Sequence, residues 1–401
     1  MSSFLQLVFV LIIVLISAKL GGYLTTRIGQ PSVLGELLVG LLLGPSLINL
    51  VNLPFLADAH LEETVKHLGE LGVLVLMFLA GLELHIADLR RNTRVSALAG
   101  TLGVLVPVVL GWIIGELNGM DFKHAAFLGL TLGATSVSIS AQTLMEMGVL
   151  RSRVGLGLLG AAVFDDVLVI LLLSTFLALE SGAGGGAVQV LLVFIRMFAF
   201  LLLSLAFGLW VLPRLVKGFS RLPISQGGLT LALVILLTYG LAAEMLGNMA
   251  AITGTFIAGL FFGRLDEKED FEDGIRSVAY SFFVPIFFVS IGLSVNVREI
   301  SPSVFWLMLL VILIAIIGKI AGAGLGARLA NLSWLESAQL GAGMVSRGEV
   351  GLIVAQVGVA QGLLSAEIFS IIVGMVLITT LITPPLLRTL FNRSTPRPLN
   401  A

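Results

Sequence analysis

Cysteine is absent from the 401-residue chain, which excludes disulfides, thiolate metal sites and cysteine nucleophiles. Charge is scarce as well: Asp, Glu, Lys and Arg make up 12% of the residues, against 57% hydrophobic. So little charge beside so much hydrocarbon, at a mean hydropathy of +1.08, excludes an ordinary soluble domain and implies a polytopic membrane protein. The formal net charge of −1 offers no reason to expect a nucleic-acid partner. Histidine is nearly missing. His60, His67, His85 and His124 fall at or near loop ends without metal-ligand spacing, so they read as solvated groups or pH sensors. The first apolar stretch, "FLQLVFVLIIVLISAKLGGYL", lacks a basic leading region and a small-residue cleavage site, and is expected to be an uncleaved span. No loop is long enough for a second folded domain, and nothing in the pattern requires a cofactor.

What the chain does have is hydrophobic length. A span needs about 20 mostly apolar residues, and thirteen are expected, near 4–24, 31–50, 67–84, 94–115, 124–148, 153–180, 187–211, 226–244, 248–264, 276–295, 303–326, 334–356 and 366–390. Of the 23 Lys and Arg residues, Lys19, Arg196, Lys319 and Arg347 fall within these spans. With loops counted alternately, only Lys66, Lys123 and Arg298 lie on one side, and all the others lie opposite. By the positive-inside rule the N-terminus is then outside and the C-terminus in the cytoplasm. Lys19 is near enough to a span end to snorkel. Arg196 has no evident role.

Two stretches, "GELLVGLLLG" (35–44) and "GTFIAGLFFG" (254–263), share the pattern G-x4-G-L-x2-G in the second and ninth spans. An offset of seven spans reverses direction, which is the mark of an inverted repeat in secondary transporters. The same offset pairs "FLAGLEL" with "FFVSIGLSV", and the fifth span, reaching "SAQ" at Gln142, with the twelfth, reaching "VAQ" at Gln356. The plainer alternative is that small residues at this spacing pack membrane helices in general. "GLGLLG" (155–160) matches a dinucleotide-binding pattern but follows no strand, and reads as close helix packing.

The fifth and twelfth spans carry the least helical sequence at the greatest depth: "GATSVSISAQ", centred near Thr135 and Ser136, and "GMVSRGEVGLIVAQ", centred on Ser346, Arg347, Gly348 and Glu349. Hydroxyls and glycines there suit broken helices, whose freed backbone groups need side chains, water or a ligand. Two continuous helices with back-bonded Ser and Thr are the other reading. Arg347 and Glu349, charges at the same depth, favour a break, and pair with each other or across the crossing.

Asp165 and Asp166 stand together in "AAVFDDVLVILLLSTF". A charge at mid-bilayer depth costs at least about 2.5–3.5 kcal/mol, so intramembrane carboxylates are functional by default. Neighbours on a helix point about 100° apart, which lets one acid pair while the other faces a pathway. Lys319, alone in the eleventh span, is the natural partner. Carboxylate, hydroxyls and carbonyls suit a hard monovalent cation, and the same carboxylate takes a proton. Competition between the two makes an exchanger. A purely structural ion triad is the alternative, and an intramembrane aspartyl protease is a remote one, since its two acids must face each other from different helices.

Through "GQPSVLGELLVGLLLGPS", "MFLAGLEL", "GATSVSISAQ", "GAAVFDDVL", "PIFFVSIGL", Lys319 and "SRGEVGLIVAQ", the chain resembles the monovalent cation:proton antiporter-2 family. Within it, the resemblance is to the NapA-type electrogenic sodium/proton antiporters. It covers nearly the whole length and implies an all-α inner-membrane protein that exchanges Na+ or Li+ for H+. It also implies a homodimer with two crossing discontinuous helices, in which a core moves elevator-like against a scaffold. On this chain the scaffold would be 1–91, core half one 92–182, linker and scaffold 183–300, core half two 301–391, and the cytoplasmic tail 392–401. Asp166 would bind the ion, Na+ or proton. Asp165 would pair with Lys319, and the breaks would lie at Thr135, Ser136 and around Ser346 to Glu349. A K+/H+ exchanger of the same family would use the same residues. On the cytoplasmic side "LDEKEDFEDG" (265–274) is expected to be a solvated loop or, alternatively, to gather cations near an inner funnel, which Glu36 and Glu83 would line unless they simply lie in interfacial water.

Overall fold

The structure, a computed structural model, describes residues 2–56, 58, 60–84, 92–180, 186–219, 226–265, 268–293 and 305–392. Outside these fall His85, the cations Arg90, Arg91, Arg221, Arg298, Arg393 and Arg397, residues 182–185 of the "GAGGG" connector, and Asp266 and Glu267. The side chains of Glu349 and Gln356 are likewise outside the description.

Every described regular element is a helix. In chain order they are α1 (Ser3–Arg27), α2 (Ser32–Leu43), α3 (Leu61–Leu82), α4 (Thr93–Leu117), α5 (Phe122–Gly133), α6 (Ser138–Glu146) and α7 (Arg153–Glu180). There follow α8 (Gly186–Ala206), α9 (Leu212–Phe219), α10 (Gly227–Met245), α11 (Ala251–Phe262), α12 (Lys268–Val278) and α13 (Val284–Leu293). The last are α14 (Phe305–Leu329), α15 (Trp334–Gly343), α16 (Glu349–Ala360) and α17 (Ala366–Asn392). Single π-helical turns carry α8 into α9 and α12 into α13. Among the described residues ten helical stretches are long and apolar enough to cross a membrane, and Ser32–Leu43, Ala251–Phe262 and Val350–Val359 are shorter apolar helices. Lipid enforces this uniformity, because a chain surrounded by hydrocarbon must satisfy its own backbone groups.

The chain divides into two compact units, one of Met1–Asp58, Arg91–Asp165 and Phe288–Ala401, the other of Ala59–Arg90 and Asp166–Phe287. In the first unit, the glycines of "GELLVGLLLG" decide how α2 packs. A Cβ on Gly35 would stand 2.1 Å from the Gly21 carbonyl oxygen of α1, and one on Gly40 would stand 2.3 Å from that of Val289 in α13. On Gly44 it would meet the Gly292 oxygen at 2.9 Å. Only bare backbone allows this approach. The same device seats α14 on α4, where Gly322 and Gly326 face the carbonyls of Leu102 and Leu98.

In the second unit "GTFIAGLFFG" does the same for α11. Cβ atoms on Gly254, Gly259 and Gly263 would meet the carbonyl oxygens of Tyr239, Phe78 and Leu82 at 2.2, 2.1 and 2.7 Å. Phe262 then stacks edge-on against both Phe78 and Phe271, with ring centroids 5.2 and 5.1 Å apart. Arg276 bonds Glu83 at 2.8 Å and Glu272 at 2.6 Å. Arg196 acquires a role here: its Nε donates to the Leu246 carbonyl at 3.0 Å and its Nη2 to that of Met245, capping the carbonyl end of α10.

Candidate functional site

The first unit contains two interrupted helices. Helix α5 stops at Gly133, Ala134 is extended (φ −62°, ψ 147°), and helix resumes at Ser138. Opposite, α15 stops at Gly343 and α16 starts at Glu349, after an extended Gly348 (φ −162°, ψ −140°). The interruptions satisfy one another. The Ser136 backbone N–H donates to the Ser346 carbonyl at 3.0 Å, and the Ser346 hydroxyl donates to the Ser136 carbonyl. The Ser140 hydroxyl donates to the Gly343 carbonyl at 2.6 Å, and that of Thr380 to the Arg347 carbonyl at 2.7 Å. A Cβ on Gly348 would sit 2.7 Å from Cβ and Oγ of Ser136, so glycine is what permits the crossing.

Arg347 is fully buried, with 0% of its surface exposed. Its Nη1 donates to the Ala134 carbonyl, and its Nη2 to that of Ala315 at 3.3 Å. The guanidinium thus closes off one carbonyl at the break, that of Ala134, and reaches a second inside the continuous helix α14. Two of its described bonds go to backbone, while the Glu349 side chain lies outside the described residues.

Asp165, on α7, and Lys319, on α14, form a buried ion pair. Lys319 Nζ stands 2.6 Å from Asp165 Oδ1, and the two side chains are 0% and 1% exposed. Asp165 Oδ2 and the Thr135 hydroxyl, both buried, have no hydrogen-bond partner among the described residues. Ser136 Oγ lies 3.0 Å from Ser138 Oγ. One residue further along α7 the second unit begins, and there Asp166 Oδ2 accepts a hydrogen bond from the Thr253 hydroxyl at 2.8 Å. Asp166 is 5% exposed and Thr253 3%. The described contacts of the adjacent acids differ: Asp165 meets the Lys319 ammonium, and Asp166 accepts from the Thr253 hydroxyl.

Thr253, Thr380 and Ser140 escaped the sequence reading. A faint signal existed for Thr253, a hydroxyl two residues into a short apolar helix that follows "GNMA". Glu36 is buried within α2. In the first unit, Glu146, Arg153, Glu336 and Arg388 help to line a cavity of about 670 Å³. The Glu146 carboxylate accepts from the backbone N–H and the hydroxyl of Ser32, both at 2.6 Å, and from Gln142 Nε2 at 2.8 Å.

A family profile described as "Sodium/hydrogen exchanger, transmembrane" matches residues 12–393. The chain belongs to this family. It is a multi-pass membrane protein among the monovalent cation:proton antiporters, a transporter and not an enzyme. It is 41% identical over 384 residues to the "Probable Na(+)/H(+) antiporter GerT" of Bacillus cereus, covering 96% of this chain and 99% of that one. To the "Na(+)/H(+)-K(+) antiporter GerN" of the same organism it is 39% identical over 383 residues, covering 96% of each. A Na(+)/H(+) antiporter of Enterococcus hirae is 33% identical over 384 residues, with 96% of this chain and 98% of that one covered. Among solved structures, the sodium proton antiporter MjNhaP1 of Methanocaldococcus jannaschii at pH 8 shares the fold. Its TM-score is 0.65 at 18% identity, over 96% of this chain and 97% of that one.

Proposed function

We propose that the chain is a secondary active transporter that exchanges Na+ for H+ across the cell membrane, with the two ions competing for the carboxylate of Asp166. The observation that carries this reading is the difference between the two acids. Lys319 commits Asp165 to a buried pair, whereas Asp166, one residue on, accepts a hydrogen bond from the Thr253 hydroxyl. A buried carboxylate gains from a bound cation or proton, because either offsets the cost of holding its charge away from water. The relatives named as Na+/H+ antiporters support the choice of ions. Li+ would use the same oxygens.

The finer architecture belongs to the same proposal: thirteen spans, N-terminus outside and C-terminus in the cytoplasm, and an inverted repeat. Equivalent contacts support the repeat, since Gly40 faces the Val289 carbonyl as Gly259 faces that of Phe78. The spans at 1–91 and 183–300 would form a dimerising scaffold, past which the core of 92–182 and 301–391 moves elevator-like, with 392–401 as tail. Electrogenic exchange, which the resemblance to NapA-type antiporters attaches to the paired aspartates, is part of the same proposal. Thr135 and Ser136 at the first break would be ion-binding hydroxyls, with Arg347 and Glu349 the charges of the crossing.

The experiment is exchange in proteoliposomes followed by a pH dye, with Na+, Li+ and K+ in turn and the voltage clamped or free. Asp166→Asn is expected to abolish exchange with every cation; retained exchange would assign the role to another acid. K+/H+ exchange is the second reading, favoured by the 39% identical relative whose name includes K+, and the same cation series decides it.

A further inference from the structure

Threonine hydroxyls in the helices of this protein mostly turn back on their own backbone. Thr131, Thr143, Thr175, Thr379 and Thr383 each donate to the carbonyl four residues earlier, at 3.0, 2.8, 2.7, 2.9 and 2.7 Å. Thr253 stands in the first turn of α11, where the residue four places back, Met249, precedes the helix. Thr255, two residues on, returns to the Ile252 carbonyl at 3.0 Å. The hydroxyl of Thr253 instead reaches across to Asp166 Oδ2 at 2.8 Å, with both residues buried.

From this geometry we infer that Thr253 is a positioning residue for exchange: its hydroxyl holds the Asp166 carboxylate while no cation is bound, and yields Oδ2 when a cation arrives. The inference rests on the reading of Asp166 as the exchanging acid. A carboxylate emptied away from water loses hydrogen bonds that only protein donors can replace, and a hydroxyl bonded to a charged acceptor is among the stronger replacements. Such a bond stabilises the empty carrier relative to the loaded one. Thr253 is thus a built-in competitor that weakens cation binding and eases release on the far side. Removing it is expected to tighten apparent cation affinity about ten-fold, the scale of a hydrogen bond to a charged group.

The test compares wild type, Thr253→Val, which keeps the branched shape without the hydroxyl, and Thr253→Ser, which keeps the hydroxyl. Two readouts serve. The first is the Na+ concentration that half-maximally raises the thermal midpoint of the purified protein, repeated with K+. The second is KM and kcat for exchange in proteoliposomes. In Thr253→Val the half-saturating concentration and KM are expected to fall about ten-fold with no gain in kcat, while Thr253→Ser stays with wild type. A structural role alone would lower the thermal midpoint without moving KM. If KM is unchanged in Thr253→Val the inference fails; if it rises, the hydroxyl is a ligand of the cation and the inference fails in the opposite sense. Should Thr253→Val not be recovered folded, Thr253→Ala is read by the same criteria. A wild type that neither binds nor exchanges any of the cations refutes the exchange reading, and the inference with it. A responsive wild type matched by Thr253→Val refutes the inference alone.

Discussion

Ser136 and Ser346 bond each other's backbone in both directions, the N–H of the first to the carbonyl of the second at 3.0 Å and the hydroxyl of the second to the carbonyl of the first. Two interrupted helices thereby repair in one another the backbone pairing that each has lost, which the bilayer interior requires. The repair depends on Gly348, whose missing side chain leaves room for Ser136. Gly348→Ala places a methyl 2.7 Å from Ser136 Cβ. Overpacking of this sort costs about 1–3 kcal/mol. The expected result is a lower thermal midpoint in detergent together with reduced exchange; an unchanged midpoint would mean that the crossing has slack.

Lys319 and Asp165 are expected to behave as a pair. Removing one member of a buried ion pair typically costs about 3–5 kcal/mol, because the other charge is stranded. Lys319→Ala should therefore lower the thermal midpoint strongly. Lys319→Met combined with Asp165→Asn should recover most of the loss, since neither charge then remains buried. Differential scanning fluorimetry of the two single variants and the double variant measures the coupling. Additive losses would show that the 2.6 Å contact contributes little.

Much of this architecture was legible because lipid limits the options. Apolar length with scarce charge leaves only helices, and Gly, Ser and Thr clusters at mid-span mark where a helix stops, as at Ala134 and Gly348. The glycines at 35, 40 and 44 announced close packing by their spacing alone. Less legible was anything that depends on which helix lies beside which. Thr253 means nothing until α11 is set against Asp166, and Arg196 resembles a stray charge until the end of α10 is placed next to it. The short helices α2 and α11, 12 residues each, fell inside longer expected spans. Hydropathy counts apolar residues and does not register where α2 ends at Gly44 or where Asn248, with φ at +53°, turns the chain before α11.

A pH effect on stability is expected at the start of α5. The His124 side chain beside Asp121, aided by its backbone N–H and by Lys123, holds the Asp121 carboxyl below its ordinary value of 3.8. A carboxyl lowered on folding adds stability once ionised, so the contribution is present above pH 3.8 and is lost as pH falls below it. Thermal midpoints of wild type and Asp121→Asn should therefore keep their gap above pH 3.8 and converge as pH falls below it, by roughly the small amount typical of exposed pairs. Midpoints that keep a constant gap below that pH would remove the carboxyl from the acid response.

The moving core can be tested where Glu146 clasps Ser32. Ser32 lies in the proposed scaffold and Glu146 in the proposed core, and two bonds of 2.6 Å join them. A core that travels against the scaffold must release this clasp in every cycle. The natural chain contains no cysteine, so Ser32→Cys with Glu146→Cys presents the only two thiols in the protein. Bridging them with a short bis-methanethiosulfonate reagent, which forms a disulfide with each thiol and releases methanesulfinate, is expected to stop Na+/H+ exchange, and reduction of those disulfides should restore it. Each single-cysteine variant treated with the same reagent should keep its activity. Exchange that continues at full rate in the bridged protein would show that these two segments hold still relative to each other, and that alternating access is achieved without the proposed displacement.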